Sequence, residues 1–284
     1  MAVTQQSSLN SLFNTLYERA RFVSRETNIM TNLVDNRTGA GWADRVVPVR
    51  PAITAVAVGE TEDFAAPTTF GKSSLATITP GEVHSQVVLT KRAIETDPDP
   101  VLSDAAFELG GSVATKVDVD LVGLFSSFDT DLGAGAGNAH SIGDVADGIS
   151  VLRNAKAPQQ GQISAVWHPY HWHDIWVELG TPSANQAFLG DLANEALRNF
   201  WVMDYMATRH YISANISVDA SDDAVSGMFV RRAIMFDVRR GLNFEDEYDP
   251  SARAWELNAN LGYGYAVVHS DEGVYFTADA TTPT

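Results

Sequence analysis

Residues 97–128 read DPDPVLSDAAFELGGSVATKVDVDLVGLFSSF, and this stretch frames the rest of the chain. Asp99 is a capping residue, and Pro100 suits the first helical position, where an N–H would go unsatisfied anyway. From there Leu102, Ala106, Leu109, Val113, Val117, Leu121, Leu124 and Phe128 keep to one apolar stripe at helical spacing. The spacing predicts one helix of roughly seven or eight turns. Gly110 and Gly111 in its middle each cost about 1 kcal/mol relative to alanine, which points to a bend or a close backbone contact. The helix stops at the glycine-rich run FDTDLGAGAGNAHS, 128–141. Gly133, Gly135 and Gly137 follow a helix rather than a strand and miss the dinucleotide-binding spacing, so the run reads as a flexible linker.

Upstream, residues 7–26 read as a helix in which Leu9, Leu12, Phe13, Leu16, Ala20 and Val23 recur at helical spacing. RVVPVR (45–50) is strand-like. Residues 53–94 read as a long two-stranded ribbon, with ITAVAV outward, a polar tip at 59–74, and a return through LATIT and HSQVVLTK. An isolated hairpin is marginal in water and its edges are open to pairing, so something other than its own subunit is expected to cover it.

Downstream, the pattern alternates: a helix at 143–155 with Val145, Ile149 and Leu152 inward, a strand at 162–167, a tryptophan-bearing helix, and a helix near 187–200. This reads as a small α/β domain. In WHPYHWHDIW (167–176) the helix begins at Pro169. Trp172, Ile175, Trp176 and Leu179 form its apolar stripe, with His171, Asp174 and Glu178 opposite. His168, His171, His173 and Asp174 invite a metal, yet residues two apart on a helix diverge, so His171 and His173 are not expected to chelate one ion. From Trp201 the chain is almost wholly strand-like, with Ile234, Phe236 and Val238 on one face of VRRAIMFDVRR (230–240) between Arg232 and Arg240. EDEYD (245–249) lacks the alternating ligands of a calcium loop and reads as a hairpin tip. Gly262 and Gly264 in the last stretch, AWELNANLGYGYAVVHSDEGVYFTAD (254–279), mark a bulge or a close approach.

The chain has 284 residues, 45% apolar, with no cysteine and a formal charge of −17. It has ample material for a core, no disulfide or thiolate chemistry, and a charge opposed to gripping nucleic acid. No signal-like start is present, and no segment approaches the ~20 apolar residues of a membrane span. Charge is uneven. Residues 1–50 carry six Arg against four acids, whereas 101–150 carry one Lys against eight. A basic arm can therefore dock on the acidic body of a neighbouring copy.

The order of these parts, a helical arm, an exposed ribbon, a long helix, an inserted α/β domain and a return to sheet, resembles the tailed-bacteriophage major capsid protein of the Hong Kong ninety-seven type. AVWHPYHWHDI and LGYGYAVVHSDEGVYF agree with it in local texture. The resemblance covers nearly the whole chain and implies an α+β fold. Its parts would be an N-terminal arm at 1–49, an extended loop at 50–99 and a spine helix with linker at 100–139. An axial domain at 140–225 and peripheral-domain strands at 226–284 would complete it. It further implies a non-enzymatic shell protein of hexamers and pentamers in a virion capsid, assembled in the host cytoplasm. The shell would enclose double-stranded DNA without reading its sequence, with no cofactor, metal or membrane. A portal, a decoration protein and a separate scaffolding protein (or prior cleavage of a scaffolding segment) are possible partners under the same resemblance. Subunit-contact candidates are Arg19, Arg21, Arg25, Phe64, Phe70, Lys72, Arg231 and Arg239. Some relatives join a loop lysine to a peripheral-domain asparagine, and by location Lys72, Asn258 and Asn260 are the candidates here. An encapsulin-type nanocompartment, a metal-dependent enzyme built on HPYHWHD and a carbohydrate-binding β domain remain as alternatives.

Overall fold

The computed structural model describes residues 28–50, 71–96, 98–156, 163–180, 204–205 and 208–283, with isolated positions 53, 55, 57 and 60. The expected helices at 7–26 and 187–200 lie outside the described residues, as do Arg19, Arg21, Arg25, Phe64, Phe70 and alternate residues of ITAVAV.

A four-stranded sheet runs β1 (Asp35–Thr38), β9 (Ile234–Asp249), β10 (Ala254–Val267), β4 (Gly81–Thr90), with only the β1–β9 pair parallel. A five-stranded mixed sheet runs β11 (Gly273–Asp279), β8 (Asp223–Val230), β5 (Ile163–Trp167), β7 (Thr208–Ile212), β6 (Asp204–Tyr205). β2 (Arg45–Val49) and β3 (Ser73–Ile78) form a separate antiparallel ribbon. Among the described residues, four α-helices accompany the strands: α1 (Lys91–Thr96), α2 (Pro98–Val122), α3 (Ile142–Asn154) and α4 (Pro169–Gly180).

The long helix forms as its stripe predicts, although it starts at Pro98, ahead of the expected Asp99 cap, and closes at Val122 before a 3-10 turn, Phe125–Ser127. Its 25 residues span roughly 37 Å. Leu109, Val113, Val117 and Leu121 are buried on its stripe. Leu109 and Val113 pack on Leu257 and Ala259 of β10, while Val117 and Leu121 join the largest core with Met30, Phe125, Phe229 and Ile234. A further core lies between α3, α4 and the five-stranded sheet, around Val145, Leu152, Trp167, Trp172 and Phe276. Ser141 caps α3 in a reciprocal box with Asp144.

Four expectations are corrected. The ribbon is shorter than 53–94: β3 returns to β2, whereas β4 leaves it to pair along its length with β10, and Lys91 opens α1. The glycine-rich run is no flexible linker. It lies along β11, with Leu132 N bonded to Tyr275 O and Gly135 N to Thr277 O. A Cβ on Gly133 would stand 2.1 Å from the Thr277 carbonyl oxygen, so the glycine is there for close approach. EDEYD is the end of β9, and the turn follows at 250–253, where Asp249 accepts from Ser251 and Ala252. Finally, the C-terminal strands divide between sheets: β11 pairs with β8, and the boundary expected at 225/226 falls inside β8. The glycine reading of β10 does hold. Its register shifts around Gly262, where Trp42 covers the missing Cβ, and Gly264 takes Ile78.

Candidate functional site

The histidine stretch is structural. Pro169 opens α4, and Trp172 and Ile175 point into the core as the stripe requires. His171, expected on the polar face, is fully buried instead. Its Nε2 lies 3.1 Å from the Ala278 carbonyl, which can only accept, so Nε2 carries the proton. Nδ1 then accepts from the Ser226 hydroxyl at 2.7 Å, and that oxygen in turn accepts from His168 N. This chain of bonds accommodates only the neutral imidazole. Both nitrogens are occupied, His173 stands half-exposed beside Trp176, and no group of three potential metal ligands converges among the described residues. Asp174 and Glu178 accept from His140 N and Ile142 N, holding the start of α3 against α4. Substituting His173 with Ala should change stability by less than about 0.5 kcal/mol, whereas Trp172→Ala should cost about 3 kcal/mol in a denaturant melt.

Burial pushes the His171 imidazole down to about 4, and the neighbouring His140 acts in the same direction. An unfolded histidine titrates near 6.5. Between those values the unfolded chain binds a proton that the folded one refuses, so stability falls as pH drops from about 6.5 towards 4. Burial lowers His168 in the same sense. The loss should approach about 3 kcal/mol at pH 4 and be largely absent in a His171→Asn variant. Denaturant melts at pH 7, 5.5 and 4.5 measure it, and identical midpoints would contradict the neutral, buried assignment.

The ribbon and the edge of the four-stranded sheet carry open strand edges. Among the described residues neither outer edge of the β2–β3 ribbon has a strand partner, and β4 is the edge of its sheet. Val46 is 53% exposed and Leu75 39%, with Trp42 and Val88 also standing out. Such edges and apolar side chains are templates for association. The ribbon is nevertheless fixed at its root. Arg45 Nε reaches the buried Asp237 carboxylate at 2.8 Å, Arg239 closes on the same oxygen at 2.7 Å, and Arg45 also donates to Thr38 O. On the face of the sheet turned away from α2, Glu247 of β9 stands directly opposite Glu256 of β10, while Glu245 is paired with Arg240 at 2.7 Å. Like charges placed this way are unfavourable in the lone subunit.

Of the candidates read from the sequence, Lys72 is exposed just before β3. Arg231 donates to Val34 O and Arg239 to Ala40 O, so both hold the 34–40 segment within the chain. Asn258 lies 3.1 Å from His84, Asn260 is buried, and Lys72 belongs to the ribbon rather than their sheet. Asp118 and Asp237 were missed. Asp118 sits within the apolar stripe, next to Val117 and four residues after Ala114, which is the one signal that could have flagged it.

No protein-family model matches the chain, and no curated protein does. Solved structures do. The head structure of Helicobacter pylori bacteriophage KHP40 aligns with a TM-score of 0.69 at 10% identity, covering 89% of this chain and 92% of that one. The bacteriophage PhiM1 mature capsid gives 0.66 at 12% identity over 90% and 88%. A virus-like particle from Pyrococcus furiosus gives 0.59 at 9% identity over 93% and 98%. The chain has the fold of these phage head and capsid structures.

Proposed function

We propose that the chain is a major capsid protein, and that copies assemble through hexamers and pentamers into an icosahedral shell around the double-stranded DNA of a tailed bacteriophage. The observation that carries this reading is the match of nearly the entire chain to phage head subunits, with nearly their entire length matched in return. The open ribbon and the edge strand β4 support it, because a shell subunit leaves apolar faces and unpaired backbone for its neighbours to cover.

In this reading residues 1–49 are the arm and carry the first ribbon strand, β2, 50–99 are the loop that carries the second, β3, and 100–139 are the spine with its following segment. Arg19, Arg21 and Arg25 of the arm meet the acidic sheet face of a neighbour, and Phe64, Phe70 and Lys72 add contacts from the loop. Arg231 contributes a partly exposed guanidinium. The subunit acts structurally, and its −17 charge limits adhesion to the enclosed genome. Assembly takes place in the host cytoplasm, and a portal completes the head.

Electron microscopy of the protein purified from native particles tests this directly. Closed shells with six-fold and five-fold capsomers enclosing DNA are expected. Shells filled with protein cargo would favour a nanocompartment, and isolated monomers or scattered decoration would end the capsid reading.

A further inference from the structure

Four of the chain's seven histidines, His140, His168, His171 and His210, are buried, and they lie together where α3 and α4 meet the five-stranded sheet. The His140 ring stands 4.7 Å from Trp167 and 5.8 Å from His171, His168 lies 5.9 Å from His171, and His210 lies 5.5 Å from Trp172. The other three, His84, His173 and His269, are not buried.

Three of the four rings hold this layer together as acceptors. His210 Nδ1 accepts the Trp167 indole N–H at 2.8 Å, joining β7 to β5. His168 Nδ1 accepts the Tyr170 N–H at 3.3 Å in the first turn of α4, and His171 Nδ1 accepts the Ser226 hydroxyl, tying α4 to β8. An indole or a backbone amide can only donate, so a proton on His210 or His168 Nδ1 would set N–H against N–H. On His168 it would also put a positive charge at the N-terminus of α4, where the helix dipole opposes it. His140 differs. Neither of its ring nitrogens has a hydrogen-bond partner among the described residues, and its Nδ1 lies 3.1 Å from Asp144 Oδ2, off the line of a bond. The carboxylates around these rings are Asp144 of α3, Asp174 of α4, which accepts from His140 N, and Asp279 at the end of β11. Of His140, His168 and His171, only His140 has one within ion-pair distance among the described residues.

We propose that the buried histidines are an acid-release switch: in mild acid they take up protons together and free α3 and α4 from the five-stranded sheet, while α2 and the four-stranded sheet stay closed. A released histidine titrates near 6.5, so each ring held neutral favours the opened layer as pH falls below that value. One such ring lowers the stability of the whole; several in one layer place the first opening there. The contacts of α2 with β10 contain no buried histidine. The switch lies within one subunit's own core and goes beyond the shell reading.

Hydrogen exchange on the full-length protein at pH 7 and pH 5, each corrected for the intrinsic rate, tests it. Amides of α3 and α4 should lose at least about a hundredfold in protection between the two. At pH 5 the amides of residues 109–122 and of β10 should remain at least about tenfold better protected than those of α3 and α4. Unchanged protection of α3 and α4, or all these elements exchanging together at pH 5, would overturn the proposal. His171→Asn with His210→Asn keeps an acceptor oxygen at both positions and titrates at neither, so it should cut the loss in α3 and α4 at least about tenfold. An undiminished loss in that variant would assign the response to the carboxylates and overturn it too, and the parent measurement decides by itself should the variant not fold.

Discussion

A subunit carrying Val46→Asp together with Leu75→Asp is expected to fold as the parent does and to form no shells. Val46 is 53% and Leu75 39% exposed on the β2–β3 ribbon, so charging them should alter the stability of the lone subunit by no more than about 1 kcal/mol each. In a shell the same positions would be covered by a neighbour, where an unpaired carboxylate is strongly unfavourable. Leu109→Asp is the counterpart. Leu109 is fully buried on α2 against Leu257 and Ala259, so a charge there falls in the subunit's own core and should prevent folding. Circular dichroism melting and sedimentation separate the two outcomes. Normal particles from the ribbon variant, or a ribbon variant that melts well below the parent, would show that the ribbon serves the subunit's own fold.

What could be read from the sequence was local. Pro169 and the spacing of Trp172 and Ile175 place α4 correctly, and the stripe from Leu109 to Leu121 places α2, because a helix records its buried face within a few residues. The bulge at Gly262 was legible for the same reason. The errors share a cause, which is that the deciding partner lies far along the chain. Residues 81–90 alternate as a strand should, but alternation does not say whether the partner is the preceding strand or residues 254–263. Gly133 suits a flexible linker and a backbone pressed on Thr277 equally well, and only the fold distinguishes them. His171 looked like surface because of its residue type. Ser226 and Ala278, from β8 and β11, supply the partners that let it be buried. The assembly surface was legible only as an oddity, a ribbon too exposed to stand by itself.

Replacing Asp118 with leucine is expected to lower the unfolding free energy by about 4–5 kcal/mol, the largest loss foreseen for one polar side chain in this molecule. Asp118 is fully buried on α2, in the stripe that otherwise packs Val117 and Leu121. Its Oδ1 accepts from the backbone of Ile29 at 3.2 Å and Met30 at 2.9 Å, while Oδ2 accepts from Asn215 Nδ2 at 2.7 Å and Ser213 Oγ at 3.3 Å. One carboxylate thus joins the chain's entry to the body, the long helix and the segment after β7. Leucine has similar bulk and satisfies none of these donors. Two backbone N–H groups are then left unpaired, each costing about 1–3 kcal/mol, and the side chains of Ser213 and Asn215 lose a charged acceptor. Asp118→Asn keeps an acceptor for Ile29 and Met30 but turns an NH₂ towards the other two donors, so about half the loss should remain. Chemical denaturation gives the magnitudes, and hydrogen exchange gives the location: the Met30 amide should exchange orders of magnitude faster in the leucine variant, while β8 amides keep their protection relative to global unfolding. A loss below about 1 kcal/mol, or an unchanged Met30 amide, would mean that the three segments are held together by their apolar contacts alone.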